Sequence, residues 1–204
     1  MPSRSRLILA LICLGVASAL AAGLYLTLGG APGLSRTGAA TGAAAIGGPF
    51  RLVDQNGRPA DQRILNGKWS AVFFGYTFCP EFCPTNLQTL ARAQDSLGDK
   101  AKNFQVVFVS IDPQRDTPQA LKAFLSNSGF PHGAVGLTGT PAEVAEAAKA
   151  YRVFYARSGV GKDYLMDHST VTYLMGPKGE FEAVIQGGAT PAQVARQIEK
   201  AMAG

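Results

Sequence analysis

Two cysteines four residues apart, Cys79 and Cys83, stand where an apolar run gives way to helical periodicity. Residues 71–75 (AVFFG) are rich in β-branched and aromatic side chains and have the length of a buried strand. Beyond the cysteines, Leu87, Leu90 and Leu97 recur at the spacing of one helix face. A strand that ends in a short loop and feeds straight into a helix commits the chain to a β-α-β unit. Both thiols then lie near a helix N-terminus, where free N–H groups and the helix dipole favour thiolate over thiol. A separation of four residues puts them on one side of the first turn.

The rest of the chain fits around that unit. Residues 50–53 and the Gln55-Asn56-Gly57 that follow suggest a short strand and a turn, and 105–111 (QVVFVSI) is a second buried strand. Thr117-Pro118, Thr140-Pro141 and Thr190-Pro191 each set a capping threonine before a proline at the first helical position. Thr140 with Glu143, and Thr190 with Gln193, have the spacing of a capping box. The helices they open carry apolar faces at Leu121, Phe124 and Leu125, at Val144, Ala148 and Tyr151, and at Val194, Ile198 and Met202. Residues 171–175 and 181–185 flank Pro177-Lys178-Gly179 as an antiparallel hairpin. A β-α-β unit, further helices, a hairpin and a closing helix predict an α/β fold of thioredoxin-like type, a three-layer α/β/α sandwich.

The N-terminus is a separate matter. Residues 7–28 carry no charge over twenty-two positions, and as a helix they reach about 33 Å, enough to cross a hydrocarbon core of about 30 Å. A signal peptide has a shorter apolar stretch, so 1–28 reads as an uncleaved transmembrane anchor. Arg4 and Arg6 precede it and the next charge is Arg36, which keeps the N-terminus cytoplasmic and places the domain across the membrane. Residues 29–48 hold thirteen Gly or Ala in twenty positions and one charge, the composition of a flexible tether with a root-mean-square span of about 25 Å. The domain then runs over 49–204. The net charge of +5 forms no block of Lys and Arg with interleaved aromatics, so no nucleic-acid footprint is present.

Of three cysteines, Cys13 lies in the apolar segment and reads as a small buried hydrophobe, leaving Cys79 and Cys83 as the only pair. Two thiolates are soft donors that suit copper(I), zinc or an iron–sulfur cluster, and the pair also permits a disulfide. Only two histidines exist: His132, in a Gly-Phe-Pro-His-Gly turn that reads as a solvated loop, and His168, just before the strand at 171–175. If that strand runs antiparallel to 71–75, His168 projects toward the cysteine loop. In thioredoxin-like enzymes this place usually holds a cis-proline, and here it reads His168-Ser169-Thr170. Two cysteines and one histidine make three donors and not four, which favours copper over a closed structural zinc site. Asp112, Arg115 and Asp116 read locally, as a strand end and a helix cap, with a direct role in partner docking as the alternative, and Met166 reads as core or rim packing, with a visit to copper as the alternative.

Three blocks, FGYTFCPEFCP at 74–84 within its strand, SIDPQRDTPQALKAF at 110–124 and YLMDHSTVTYLMGPKG at 164–179, resemble the signature blocks of Sco/SenC proteins, in the same order. The resemblance implies a membrane-anchored thioredoxin-fold protein that binds one copper, as Cu(I), Cu(II) or both, through Cys79, Cys83 and His168. It implies a metallochaperone for the binuclear copper centre of cytochrome c oxidase subunit II or another copper protein, held in the bacterial inner membrane with its domain in the periplasm. A thiol–disulfide oxidoreductase using Cys79 and Cys83 remains the alternative. A peroxidase on this fold leaves the paired cysteines and His168 without a use.

Overall fold

The computed structural model describes residues 46–204, together with Ser18 and Leu20. The expected anchor at 7–28, the tether up to residue 45 and Cys13 lie outside the described residues, and among the described residues no helix is long and apolar enough to cross a membrane. The chain divides into Met1–Ala43 and Ala44–Gly204, and the second unit carries the fold.

Its centre is a parallel pair, β3 (Trp69–Gly75) and β4 (Phe104–Ser110), in register from Trp69 beside Phe104 to Gly75 beside Ser110. Six of the seven β3 residues are buried, as a strand covered on both faces requires. Two further strands flank this pair: β5 (Val135–Thr138), parallel to β4, and β8 (Thr172–Met175), antiparallel to β3. β9 (Phe181–Ile185) completes the expected hairpin with β8, while β1 (Arg51–Asp54) and β2 (Pro59–Asp61) extend the other edge. The order across this seven-stranded mixed sheet is β2-β1-β5-β4-β3-β8-β9.

Four helices cover the sheet: α1 (Phe82–Ser96), α2 (Pro118–Leu125), α3 (Pro141–Ala150) and α4 (Pro191–Ala203). Phe82 of α1 and Phe124 of α2 pack on the face that carries Phe73 and Phe108, and α1 packs along α4. Tyr151, at the end of α3, stacks on Phe74 and Tyr173 of the opposite face. The expected helix starts are present: Thr117, Thr140 and Thr190 each accept a backbone N–H with their side chains, and the last two form complete capping boxes.

Four strands depart from the sequence reading. β5 escaped it because Gly136 interrupts its apolar run, yet a Cβ there would meet Leu125 Cδ1 at 2.7 Å, so glycine admits the close approach of α2. β2 is a short edge strand of low apolarity. A two-stranded sheet of β6 (Tyr155–Ser158) and β7 (Leu165–His168) lies in a region read as loop, because its half-exposed strands lack a buried face to pattern them.

Candidate metal centre

The end of β3 and the start of α1 place the two thiols. Gly75 closes the strand, and a side chain there would have its Cβ 2.8 Å from Cys83 Sγ, so the absence of one lets Cys83 seat against the sheet. Cys83 is fully buried and Cys79 is partly exposed; both are free thiols. The N-terminus of α1 has Glu81 at the cap position, with no side-chain hydrogen bond to the helix. Its place is taken by sulfur: Cys83 N–H donates to Cys79 Sγ at 3.2 Å.

His168 arrives by a route different from the one expected. It does not merely precede β8; it ends β7, opposite Tyr155, and Ser169 N–H donates to the Phe154 carbonyl at 2.9 Å. The imidazole is surrounded by Phe73, Tyr76 and Phe82, with ring centroids about 6 Å away. Its Nδ1 lies 2.8 Å from the Ser169 carbonyl, which only accepts, so Nδ1 carries the proton and Nε2 offers a lone pair. That lone pair lies 3.7 Å from Cys83 Sγ. One ligand atom from each of Cys79, Cys83 and His168 lies within 4.8 Å of the others, and among the described residues no fourth His, Cys, Asp or Glu joins the group. His132 is exposed elsewhere, where its carbonyl receives a hydrogen bond from Gln94. Met166 packs against the core and lines a cavity of about 190 Å³ with Asp112, Tyr155 and Tyr164.

The two thiols are not equivalent, contrary to the expectation that both favour the thiolate. Hydrogen bonding from the Cys83 side chain, with further donation from the backbone N–H groups of Cys83 and Glu81, lowers Cys79 to about 4 against the opposition of burial. Donating that hydrogen bond, and then burial, raises Cys83 far above the ordinary thiol range. One proton therefore serves both sulfurs, held on Cys83 and shared toward Cys79. The helix end favours charge on the sulfur that reaches its N–H groups, and only Cys79 does so.

This donor set fits a single soft ion. A sulfur and an imidazole nitrogen at about 2.3 Å and 2.0 Å from one ion, separated by about 120°, stand about 3.7 Å apart, which is the separation found between Cys83 Sγ and His168 Nε2. Two sulfurs and one neutral nitrogen without a fourth protein donor suit copper(I) better than a closed zinc site.

The residues that sequence reasoning missed lie behind the site. Thr117 does cap α2, but Asp116 turns the other way. Fully buried, it accepts hydrogen bonds from Thr77 N at 3.1 Å, Thr77 Oγ1 at 2.6 Å and Ser110 Oγ at 2.7 Å. Asp112 pairs with Arg115 through its Oδ2 and accepts from the Tyr164 hydroxyl at 2.7 Å through its Oδ1. Two aspartates and an arginine packed directly after a buried strand were the available signal, since charged groups so placed need partners.

The SCO1/SenC family pattern matches residues 38–203. Protein SCO1 homolog 1, mitochondrial, of Arabidopsis thaliana is 41% identical over 148 residues, covering 72% of this chain and 44% of its own length. Protein SenC of Rhodobacter capsulatus is 40% identical over 164 residues, covering 80% of this chain and 73% of its own. The chain thus spans less than half of the mitochondrial relative and most of the bacterial one. The crystal structure of Arabidopsis thaliana ScoI with copper bound superposes with a TM-score of 0.73 at 36% identity, over 78% of this chain and 98% of that one. From its sequence pattern, its relatives and its fold, the chain belongs to the SCO1/SenC family.

Proposed function

We propose that this protein is a membrane-tethered copper carrier that holds one ion on Cys79, Cys83 and His168 and passes it to a recipient copper protein, the binuclear site of cytochrome c oxidase subunit II being the recipient the family resemblance implies. The observation that carries this reading is the convergence of two sulfurs and one oriented imidazole nitrogen within 4.8 Å. Cys79 is partly exposed, so an incoming thiolate can reach the ion from one side while Cys83 and His168 still hold it. Three donors bind tightly yet leave room for a fourth during exchange. In this reading residues 1–28 are the anchor, 29–48 the tether and 49–204 the working domain. Arg4 and Arg6 before the uncharged run support a single-pass topology in the inner membrane, with the domain in the periplasm.

A second reading has its own observation. Cys79 is a partly exposed, low-pKa thiolate beside a protonated partner, as a thiol reductant needs. Its sulfur attacks a partner's disulfide and displaces one thiolate. Cys83, losing its proton, then attacks Cys79 and releases the second thiolate, leaving a Cys79–Cys83 disulfide and a reduced partner.

Copper(I) and copper(II) stoichiometry of the reduced protein, compared with His168→Ala and Cys79→Ser, tests the first reading. The expected result is one copper per chain, with binding greatly weakened in both variants. Absence of tight copper binding together with rapid exchange of Cys79–Cys83 with a partner disulfide would establish the reductant instead.

A further inference from the structure

The two arms of the site come from distant parts of the chain, and one side chain touches both. The thiol arm leaves β3 through Tyr76, Thr77 and Phe78 to Cys79, and the imidazole arm is Tyr164 and the strand β7 that follows it to His168. Arg115 lies between them. Its guanidinium carbon stands 3.6 Å from the centroid of the Tyr164 ring and 4.6 Å from that of Phe78, the neighbour of Cys79. Its Nη1 donates to the Tyr164 carbonyl at 3.0 Å, and its Nε donates to Asp112, whose other oxygen receives the Tyr164 hydroxyl. Asp112 is itself fixed, because its N–H donates to Ser110 Oγ at 3.0 Å and that hydroxyl donates to Asp116, the residue gripping Thr77. The side chains of Arg115 and Asp112 are only 15% and 4% exposed. At that burial the pair is held by geometry and not diluted by solvent.

We propose that Arg115 is a positioning residue for the metal site, setting the distance between the Cys79 loop and the His168 strand by stacking on Phe78 and Tyr164 while anchored to Asp112. The inference rests on the copper-site reading above. Arginine suits the task because its planar fork stacks on rings and donates in fixed directions, which the point charge of lysine does not reproduce. His168 is the last residue of its strand, and β6–β7 forms no strand pairing with the main sheet. Without Arg115 the imidazole arm has lost a tie on its Tyr164 side and samples positions in which Nε2 no longer faces Cys83. An ion then binds on the fraction of molecules that keep the closed arrangement.

The test is a double-mutant cycle on the full-length chain in detergent, reduced, with copper(I) affinity read by competition against a colorimetric chelator. Arg115→Lys weakens copper(I) about tenfold, as expected when the competent fraction falls to about one tenth, and His168→Ala weakens it further. The double variant is no weaker than His168→Ala alone, because Arg115 acts through that ligand. Tyr164→Phe, which keeps the ring and removes only the hydroxyl, moves affinity the same way by about threefold. In the metal-free protein, amide hydrogen exchange of β7 quickens in Arg115→Lys while that of α4 is unchanged. Additive losses in the cycle, or exchange that quickens everywhere, would overturn the proposal and leave the copper site standing. If His168→Ala binds copper(I) as tightly as wild type, the ligand assignment falls and the proposal with it.

Discussion

Gly75→Ala puts the seat of Cys83 under a direct load. A Cβ at residue 75 would stand 2.8 Å from Cys83 Sγ and 2.9 Å from Phe108 Cε2, against ordinary contacts of about 3.5–4.0 Å, so the neighbours must retreat by about 0.7 Å. Cys83 and Phe108 are both fully buried, so they must give way inside a close-packed core. Overpacking of this kind costs about 1–3 kcal/mol, and loss of glycine's freedom in the unfolded chain returns about 0.4–1 kcal/mol. The net cost is about 1–2 kcal/mol, a fall in Tm of about 2–8 °C for a chain of this size. The displaced sulfur also leaves its place 3.7 Å from His168 Nε2, so copper(I) binding weakens at least about tenfold, a loss of about 1.4 kcal/mol. Gly136→Ala is the control, since its Cβ would meet Leu125 at 2.7 Å on the far side of β4. It loses similar stability and keeps copper affinity. Thermal unfolding and chelator competition on the three proteins decide the matter. A Gly75→Ala protein with wild-type Tm and wild-type copper(I) affinity, or a Gly136→Ala protein with equally weakened copper binding, refutes the reasoning.

Copper(I) binding near pH 7 releases about one proton, because Cys79 already lacks its proton and Cys83 must give one up; affinity therefore strengthens about tenfold per pH unit. Calorimetry in two buffers of different ionisation enthalpy counts that proton, and a count near zero or two contradicts the assignment. In the metal-free protein the folded Cys79 is lowered from 9.0 to about 4, so between these pH values the unfolded chain binds the extra proton. Stability from this group is then fully present above pH 9 and is lost as pH falls through about 4. Urea titrations across that window show the rise in wild type and a flatter profile in Cys79→Ser. Alkylation with iodoacetamide modifies Cys79 well before Cys83, which is buried and protonated, and peptide mapping of a partial reaction reads the order. Thr140→Ala removes the capping box of α3 and costs about 1 kcal/mol, seen as a fall of about 2–4 °C in Tm with copper binding unchanged.

What the sequence disclosed was whatever its neighbours along the chain decide. Thr140 and Glu143 find each other across three residues whatever the fold, so the helix starts were legible to the residue. The paired cysteines and the periodicity beyond them were legible for the same reason. β5 was not, because Gly136 answers to Leu125 in another element and looks like a breaker when read alone. His168 was picked from the order of elements and from family resemblance, yet the strand that carries it went unseen, since Tyr155 and His168 pair across thirteen positions of weak pattern. Arg115 and Asp116 read as a local cap because their partners, Tyr164 and Thr77, are far along the chain. The unequal thiols lie furthest from sequence. Which sulfur keeps the proton is set first by the hydrogen bond between the two side chains, then by the deeper burial of Cys83 and by the N–H of Cys83 that faces Cys79.

That N–H ties the end of a helix to one sulfur. The first turn of α1 has no side-chain oxygen cap and uses the Cys79 sulfur for the purpose. A thiolate sulfur has more than one lone pair, so the N–H keeps its acceptor whether or not the same sulfur also holds an ion. A cap is worth about 0.5–2 kcal/mol. Any chemistry that takes this sulfur away therefore unfastens the first turn of α1 as well as removing a donor.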